Sequence, residues 1–181
     1  MLDANGARSR VALIDNHDKS KVHAVKWWGD TVLVTGCIRS SRVADGSGWD
    51  GYVARTDLKT GQLLSYRLAD VDRGDIVLDL LPLANGQLLI GGATGYTQNP
   101  GGESVSEISS PLLARSDLET GSLTRLAVFA GPRGNQIRSL AVFSNNWLVG
   151  ATQNMPGTHT ADGDIGLLTT DAYVREFEAI N

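Results

Sequence analysis

The chain has 181 residues, with 16 Lys and Arg against 20 Asp and Glu and a formal net charge of −4. That length predicts one domain of ordinary size. The scattered cations exclude the clustered basic stripe of a nucleic-acid binder, and no apolar run reaches the roughly 18 residues that insertion into a membrane requires.

The first six residues, Met1-Leu2-Asp3-Ala4-Asn5-Gly6, have neither the basic start nor the apolar stretch of a secretory signal. Any signal is expected upstream of the sequence given. The single cysteine, Cys37, excludes an intrachain disulfide and leaves the redox compartment open. Twenty-one glycines against five prolines point to many tight turns and an all-β chain.

Residues 1–14 read as a turn followed by a strand (7–14). From there the sequence repeats. Leu33-Val34-Thr35-Gly36, Leu89-Ile90-Gly91-Gly92 and Leu148-Val149-Gly150-Ala151 correspond at spacings of 56 and 59 residues. Tyr52-Val53-Ala54-Arg55-Thr56-Asp57 matches Leu112-Leu113-Ala114-Arg115-Ser116-Asp117, with a weaker third copy in Gly166-Leu167-Leu168-Thr169-Thr170-Asp171.

Each unit reads as four short strands. The first is an apolar-rich run (22–28, 76–83, 137–143). A tight turn follows at Gly29-Asp30, Asn85-Gly86 and Asn145-Asn146, residue types that accept hairpin geometry. The second strand ends at the small residues Thr35-Gly36, Gly91-Gly92 and Gly150-Ala151, and a long polar loop leads to the third. Asp57 to Gly61 and Asp117 to Gly121 make the next turn, with Asp as backbone cap and Gly left-handed. The fourth strands (64–68, 123–129, 174–180) mix apolar and polar residues as half-exposed outer strands do.

Repeats of four antiparallel strands with apolar inner strands predict propeller blades. The fold class expected is therefore all-β: a partial β-propeller of three four-stranded antiparallel blades (21–68, 76–129 and 136–181) plus one extra outer strand. That extra strand lies in residues 1–14, which match the third turn and fourth strand of a preceding blade. Further blades are expected from the same chain, continuing upstream, or from another chain.

The segments Asp50-Gly51-Tyr52-Val53-Ala54-Arg55-Thr56-Asp57 and Gly92-Ala93-Thr94-Gly95-Tyr96-Thr97 resemble the bacterial SBBP-type propeller repeat. Thr56-Asp57-Leu58-Lys59-Thr60-Gly61-Gln62 is similar to the turn of quinoprotein propeller repeats, although the Trp those repeats place shortly afterwards is absent. The first resemblance implies an extracytoplasmic protein, periplasmic or secreted, with a binding role. Fold alone does not assign an activity.

Two surfaces are candidates for binding. The long second-to-third loops (37–49, 93–110, 152–163) carry Arg39, Arg42, Trp49, Tyr96, Asn99, Glu103, Glu107 and His159. The first strands, expected to line a central channel, carry His23, Asp79 and Arg138 at positions that align by spacing. Asp57, Asp117 and Asp171 repeat, as do Arg55 and Arg115, which argues for turn capping and an ion pair along one strand face. Cys37 and His23 could form a nucleophile–base pair. An unbroken register from the Gly29-Asp30 turn would put residue 37 opposite Val22 and point the two side chains to opposite faces. The acidic loops 45–50 and 162–164 lack the convergent oxygens of a calcium site, so no metal and no cofactor is expected. The function expected is a non-catalytic scaffold segment binding a protein or glycan. The alternatives are a propeller oxidoreductase or lyase acting at the channel mouth, and a structural piece of a larger assembly.

Overall fold

A computed structural model describes residues 19–39, 49–71, 74–83, 86–95, 97–98, 104–105, 110–128, 136–143, 146–154 and 170–178. These residues form strands and turns only, and no helix among them could cross a membrane. Residues 1–14, expected as an outer strand, lie outside the described residues.

The first sheet is a simple meander: β1 (Lys19–Trp28), β2 (Thr31–Arg39), β3 (Trp49–Asp57) and β4 (Leu63–Ala69), all antiparallel. The second begins with β5 (Ile76–Pro82) and β6 (Gln87–Thr94). A short ladder, β7 (Thr97–Gln98) with β8 (Ser104–Val105), interrupts the following loop. β9 (Ser110–Asp117) and β10 (Leu123–Val128) then complete the order β10-β9-β6-β5. The third sheet has three described strands: β11 (Gln136–Phe143), β12 (Asn146–Asn154) and β13 (Thr170–Glu178).

The third sheet departs from expectation. β13 pairs with β12 from Asn154↔Thr170 to Asn146↔Glu178, so residues 174–178, expected in a fourth strand, belong to the third, while residues 166–169 lie outside the described residues. Asp171 pairs with Gln153 inside the ladder, and Glu178 occupies the position that Asp57 and Asp117 hold in the other sheets. Of the matched stretch, the described Thr170 and Asp171 open this strand, whereas the repeat pattern placed Asp171 at a strand's end.

The Asp turns are as expected. Asp57 Oδ1 accepts from the Lys59 and Thr60 amides, each at 2.8 Å, and Asp117 Oδ1 accepts from the Glu119 and Thr120 amides at 2.8 and 3.0 Å. Gly61 (φ 70) and Gly121 (φ 74) take the left-handed position that closes each turn. The expected pairing of Arg55 with Asp57 gives way to another arrangement. Arg55 Nε donates to Thr31 Oγ1 at 3.1 Å and its guanidinium lies 4.9 Å from the Trp28 ring centroid.

Every first strand carries a bulge at the same place. The register slips by one residue at Val22/Ala24, Val77/Asp79 and Ile137/Ser139. In the first two sheets the facing residue of the second strand is Gly36 or Gly92, where a Cβ would fall on the carbonyl oxygen of Lys21 or Ile76. Small residues thus mark a close approach, and the second strands continue past them to Arg39, Thr94 and Asn154.

The sheets stack face on face. Leu33, Val53 and Ala69 of the first pack against Val77, Leu80, Leu88 and Ile90 of the second. Leu89 and Leu113 of the second pack against Ile137, Leu140 and Val149 of the third. Each such Leu, Ile or Val side chain, taken fully from water, contributes about 1.5–3 kcal/mol.

Candidate functional site

The bulge in β1 builds the most polar cluster. By removing His23 from the ladder it shifts the strand so that Cys37 pairs with Lys21 and Gly36 with Val22. The expectation that His23 and Cys37 face apart is thereby overturned: Cys37 Sγ lies 3.5 Å from His23 Nε2.

Electrostatics define what that contact is. Burial pushes the Cys37 thiol up to about 11, against which the nearby Lys21 charge works only weakly. Burial also lowers the His23 pKa, helped by the charges of Lys21 and Arg138. Both shifts favour the uncharged forms, so the contact is one between a thiol and a neutral imidazole, its donor set by the ring tautomer. A catalytic cysteine requires the opposite shift.

The charges of Lys21 and Arg138, both exposed, act on His23, so three nitrogen-bearing side chains from β1 and β11 gather at one end of these first strands. Beneath them, the Lys21 ammonium sits 4.9 Å from the Trp49 ring centroid. Trp49, expected in a loop, is the first residue of β3. It is buried with Cys37, Ile76, Leu78 and Ala93, because apolar area on a loop stem is removed from water by the neighbouring sheet.

Asp79 has a different place from the one the spacing suggested. The bulges make Leu78 the counterpart of His23 and Arg138, while Asp79 corresponds to Ala24 and Ser139. Its buried carboxylate ties three strands together. Oδ1 is 3.0 Å from Lys26 Nζ of β1, and Oδ2 accepts from the Leu140 amide of β11 at 2.9 Å. Asp79 is thus a structural link between the first strands of the three sheets, its carboxylate engaged by both neighbours.

Tyr96, His159, Arg42, Asn99, Glu103 and Glu107 lie outside the described residues, while Arg39 ends β2 and is exposed. No group of three or more His, Cys, Asp or Glu side chains among the described residues could hold a metal ion.

At the opposite, tight-turn end, a cleft of about 410 Å³ opens between the first two sheets, walled by Trp28, Asp30, Arg55, Asp117 and Glu119. Sequence reasoning missed it because it joins turns from two repeats. Two of its charged groups are committed: Arg55 to Thr31 and Trp28, and Asp117 to its own turn.

No protein-family model matches the chain, and no curated protein matches it either.

Proposed function

We propose that this chain is a non-catalytic segment of a β-propeller that binds a protein or glycan partner at the long-loop end of its inner strands. The observation that carries this reading is the Asp79 bridge. One carboxylate contacts the first strand of the first sheet and the first strand of the third, which is how edge strands meet around a common axis. The resemblance to SBBP-type repeats supports the same arrangement and, with it, an extracytoplasmic setting.

Binding is assigned to the long-loop end because Lys21, His23 and Arg138 collect there on a chain whose net charge is −4. That local excess of positive charge suits an anionic group on the partner. The test is an NMR titration of the His23 ring with a uronic-acid oligosaccharide and, separately, a glutamate-rich peptide. A bound anion raises the His23 pKa, and the response disappears in the Lys21→Ala/Arg138→Ala double variant. An unmoved His23 resonance with both probes refutes this placement.

The enzyme reading draws on the 3.5 Å contact of Cys37 with His23. The raised thiol pKa opposes it, since a nucleophile of that kind is held as thiol rather than thiolate at neutral pH.

A further inference from the structure

The cleft at the tight-turn end holds an arginine that is fixed in place but has unused donors. Thr31 is buried, and its hydroxyl donates to the Trp28 carbonyl at 2.7 Å while accepting from Arg55 Nε at 3.1 Å. Trp28 packs against the core between the first two sheets and carries the guanidinium over its ring. These contacts fix the guanidinium without using either Nη. Among the described residues, neither Nη of Arg55 has a hydrogen-bond or ion-pair partner.

The sheet itself does not require this arrangement. Arg115 stands opposite Leu89 in the second sheet, as Arg55 stands opposite Leu33 in the first. There the residues at the positions of Trp28 and Thr31 are Leu83 and Gln87, so neither the ring nor the hydroxyl is repeated. Matching strands with an unmatched setting for the arginine make the first setting a local addition at this cleft.

Carboxylates line the same space. Asp30 enters from the β1–β2 turn, and Asp117 and Glu119 enter from the β9–β10 turn. Asp117 Oδ1 is taken by its own turn. Among the described residues, none of the three pairs with Arg55, and the side chains of Asp30 and Glu119 have no hydrogen bond or ion pair. One guanidinium and three carboxylates thus share a volume of about 410 Å³ without neutralising one another.

That charge pattern selects by exclusion. A simple anion would meet Arg55 but be repelled by the carboxylates, and a simple cation would meet the carboxylates but be repelled by the fixed guanidinium. A neutral polyol would leave both signs of charge unmatched. A molecule with one anionic and one cationic end matches both, because a carboxylate can accept from the two Nη groups side by side. The volume lies within the roughly 300–1,000 Å³ of small-ligand sites. A cube of that size has an edge of about 7 Å, the length of two extended residues.

We infer that this cleft is a second binding site, separate from the long-loop end, for an ammonium–carboxylate zwitterion of dipeptide size. The ligand carboxylate lies on the Nη groups of Arg55, and its ammonium lies between Asp30 and Glu119.

The test is NMR of the Arg55 Nε–H resonance, assigned by its loss in Arg55→Lys, during titration with glycylglycine. N-acetyl-glycylglycine and glycylglycine amide keep one charge each, and methyl glucoside keeps none. Glycylglycine is expected to shift the resonance saturably at millimolar concentration, and each blocked probe to bind at least about tenfold more weakly. The Asp30→Asn/Glu119→Gln variant is expected to bind glycylglycine about tenfold more weakly, with up to about fivefold from each exposed carboxylate. It is expected to bind the acetylated probe no less well than the parent does. Both substituted residues are exposed, and circular dichroism verifies that the variant folds. Equal binding of the amide overturns the inference in favour of a cation site, and equal binding of the acetylated probe in favour of an anion site. Equal binding of the glucoside overturns it in favour of a polyol site. A resonance unmoved by about 20 mM glycylglycine overturns it outright. The double variant leaves Lys21, His23 and Arg138 in place, so the His23 titration succeeds or fails independently.

Discussion

Replacing Asp79 with Ala is the most informative single perturbation of the fold. Asp79 is 6% exposed and its carboxylate accepts from the Leu140 amide at 2.9 Å, so its removal leaves a buried amide without that partner. Such a loss costs about 1–3 kcal/mol. The contact with Lys26 adds less, because the Lys26 side chain is 38% exposed and recovers solvent when freed; about 1 kcal/mol or less is appropriate for it. Together they predict a loss of about 1–4 kcal/mol, corresponding to a fall in Tm of roughly 2–16 °C for a chain of this size. Asp79→Asn retains an acceptor for the amide and is expected to lose about half as much. Urea unfolding at fixed protein concentration, followed by tryptophan fluorescence, measures all of these. A double-mutant cycle with Lys26→Met isolates the ion pair. Asp79→Ala within about 0.5 kcal/mol of the parent, the ordinary range for an inconsequential surface change, would refute the three-strand link.

The Gly92→Ala variant is expected to lose more than about 2 kcal/mol, because its Cβ meets the Ile76 carbonyl oxygen rather than a side chain that can turn aside; the same urea experiment measures it. Hydrogen bonds from their turns hold Asp57 and Asp117 below the usual carboxylate range. Their stabilisation is present above the unfolded pKa and lost as pH falls through the lowered folded values, so Asp57→Asn/Asp117→Asn flattens the acid limb of a stability–pH curve. Cys37 in the folded chain is expected to resist iodoacetamide at pH 8 relative to the chain in urea, with mass spectrometry as the readout. Because its folded pKa is raised from 9.0 to about 11, it contributes stability below 9 that is lost as pH rises toward 11, and Cys37→Ala removes that part of the alkaline dependence. His23 acts in the opposite direction. Its folded pKa is lowered from 6.5, so its contribution is lost as pH falls below that value, and His23→Gln abolishes this slope.

Local chemistry made some features legible in the sequence. The Asp57–Gly61 and Asp117–Gly121 turns depend only on neighbouring backbone amides and a glycine φ, and both formed as expected. The first two sheets were legible for a similar reason, since each strand's apolar run sits between its own turn signals. The inner-strand bulge was not anticipated, because one extra residue leaves composition unchanged. A signal was nevertheless present. Val22/Val25, Val77/Leu80 and Ile137/Leu140 are apolar pairs three apart, a spacing that an unbroken strand sends to opposite faces. Reading that signal would have brought His23 beside Cys37 and separated Asp79 from the His23/Arg138 position. Asp171 was misplaced because it matched Asp57 and Asp117 in residue type but not in pairing, where Glu178 holds their position. Trp49 was taken for a loop residue because nothing local reveals which neighbouring sheet will cover a loop stem.

The central claim is that the sheets radiate from converging inner strands. Pulsed electron–electron resonance distances between spin labels, in a Cys37→Ala background diluted with unlabelled chain, test it most directly. One pair sits on inner strands two sheets apart, Val25 with Val142; the other sits on outer strands of adjacent sheets, Leu64 with Thr124. All four positions are exposed. Radial sheets predict that the inner pair is no farther apart than the outer pair. A flat stack would separate the inner pair by two sheet spacings, about 20 Å, against one spacing of about 10 Å for the outer, and that result would contradict the account.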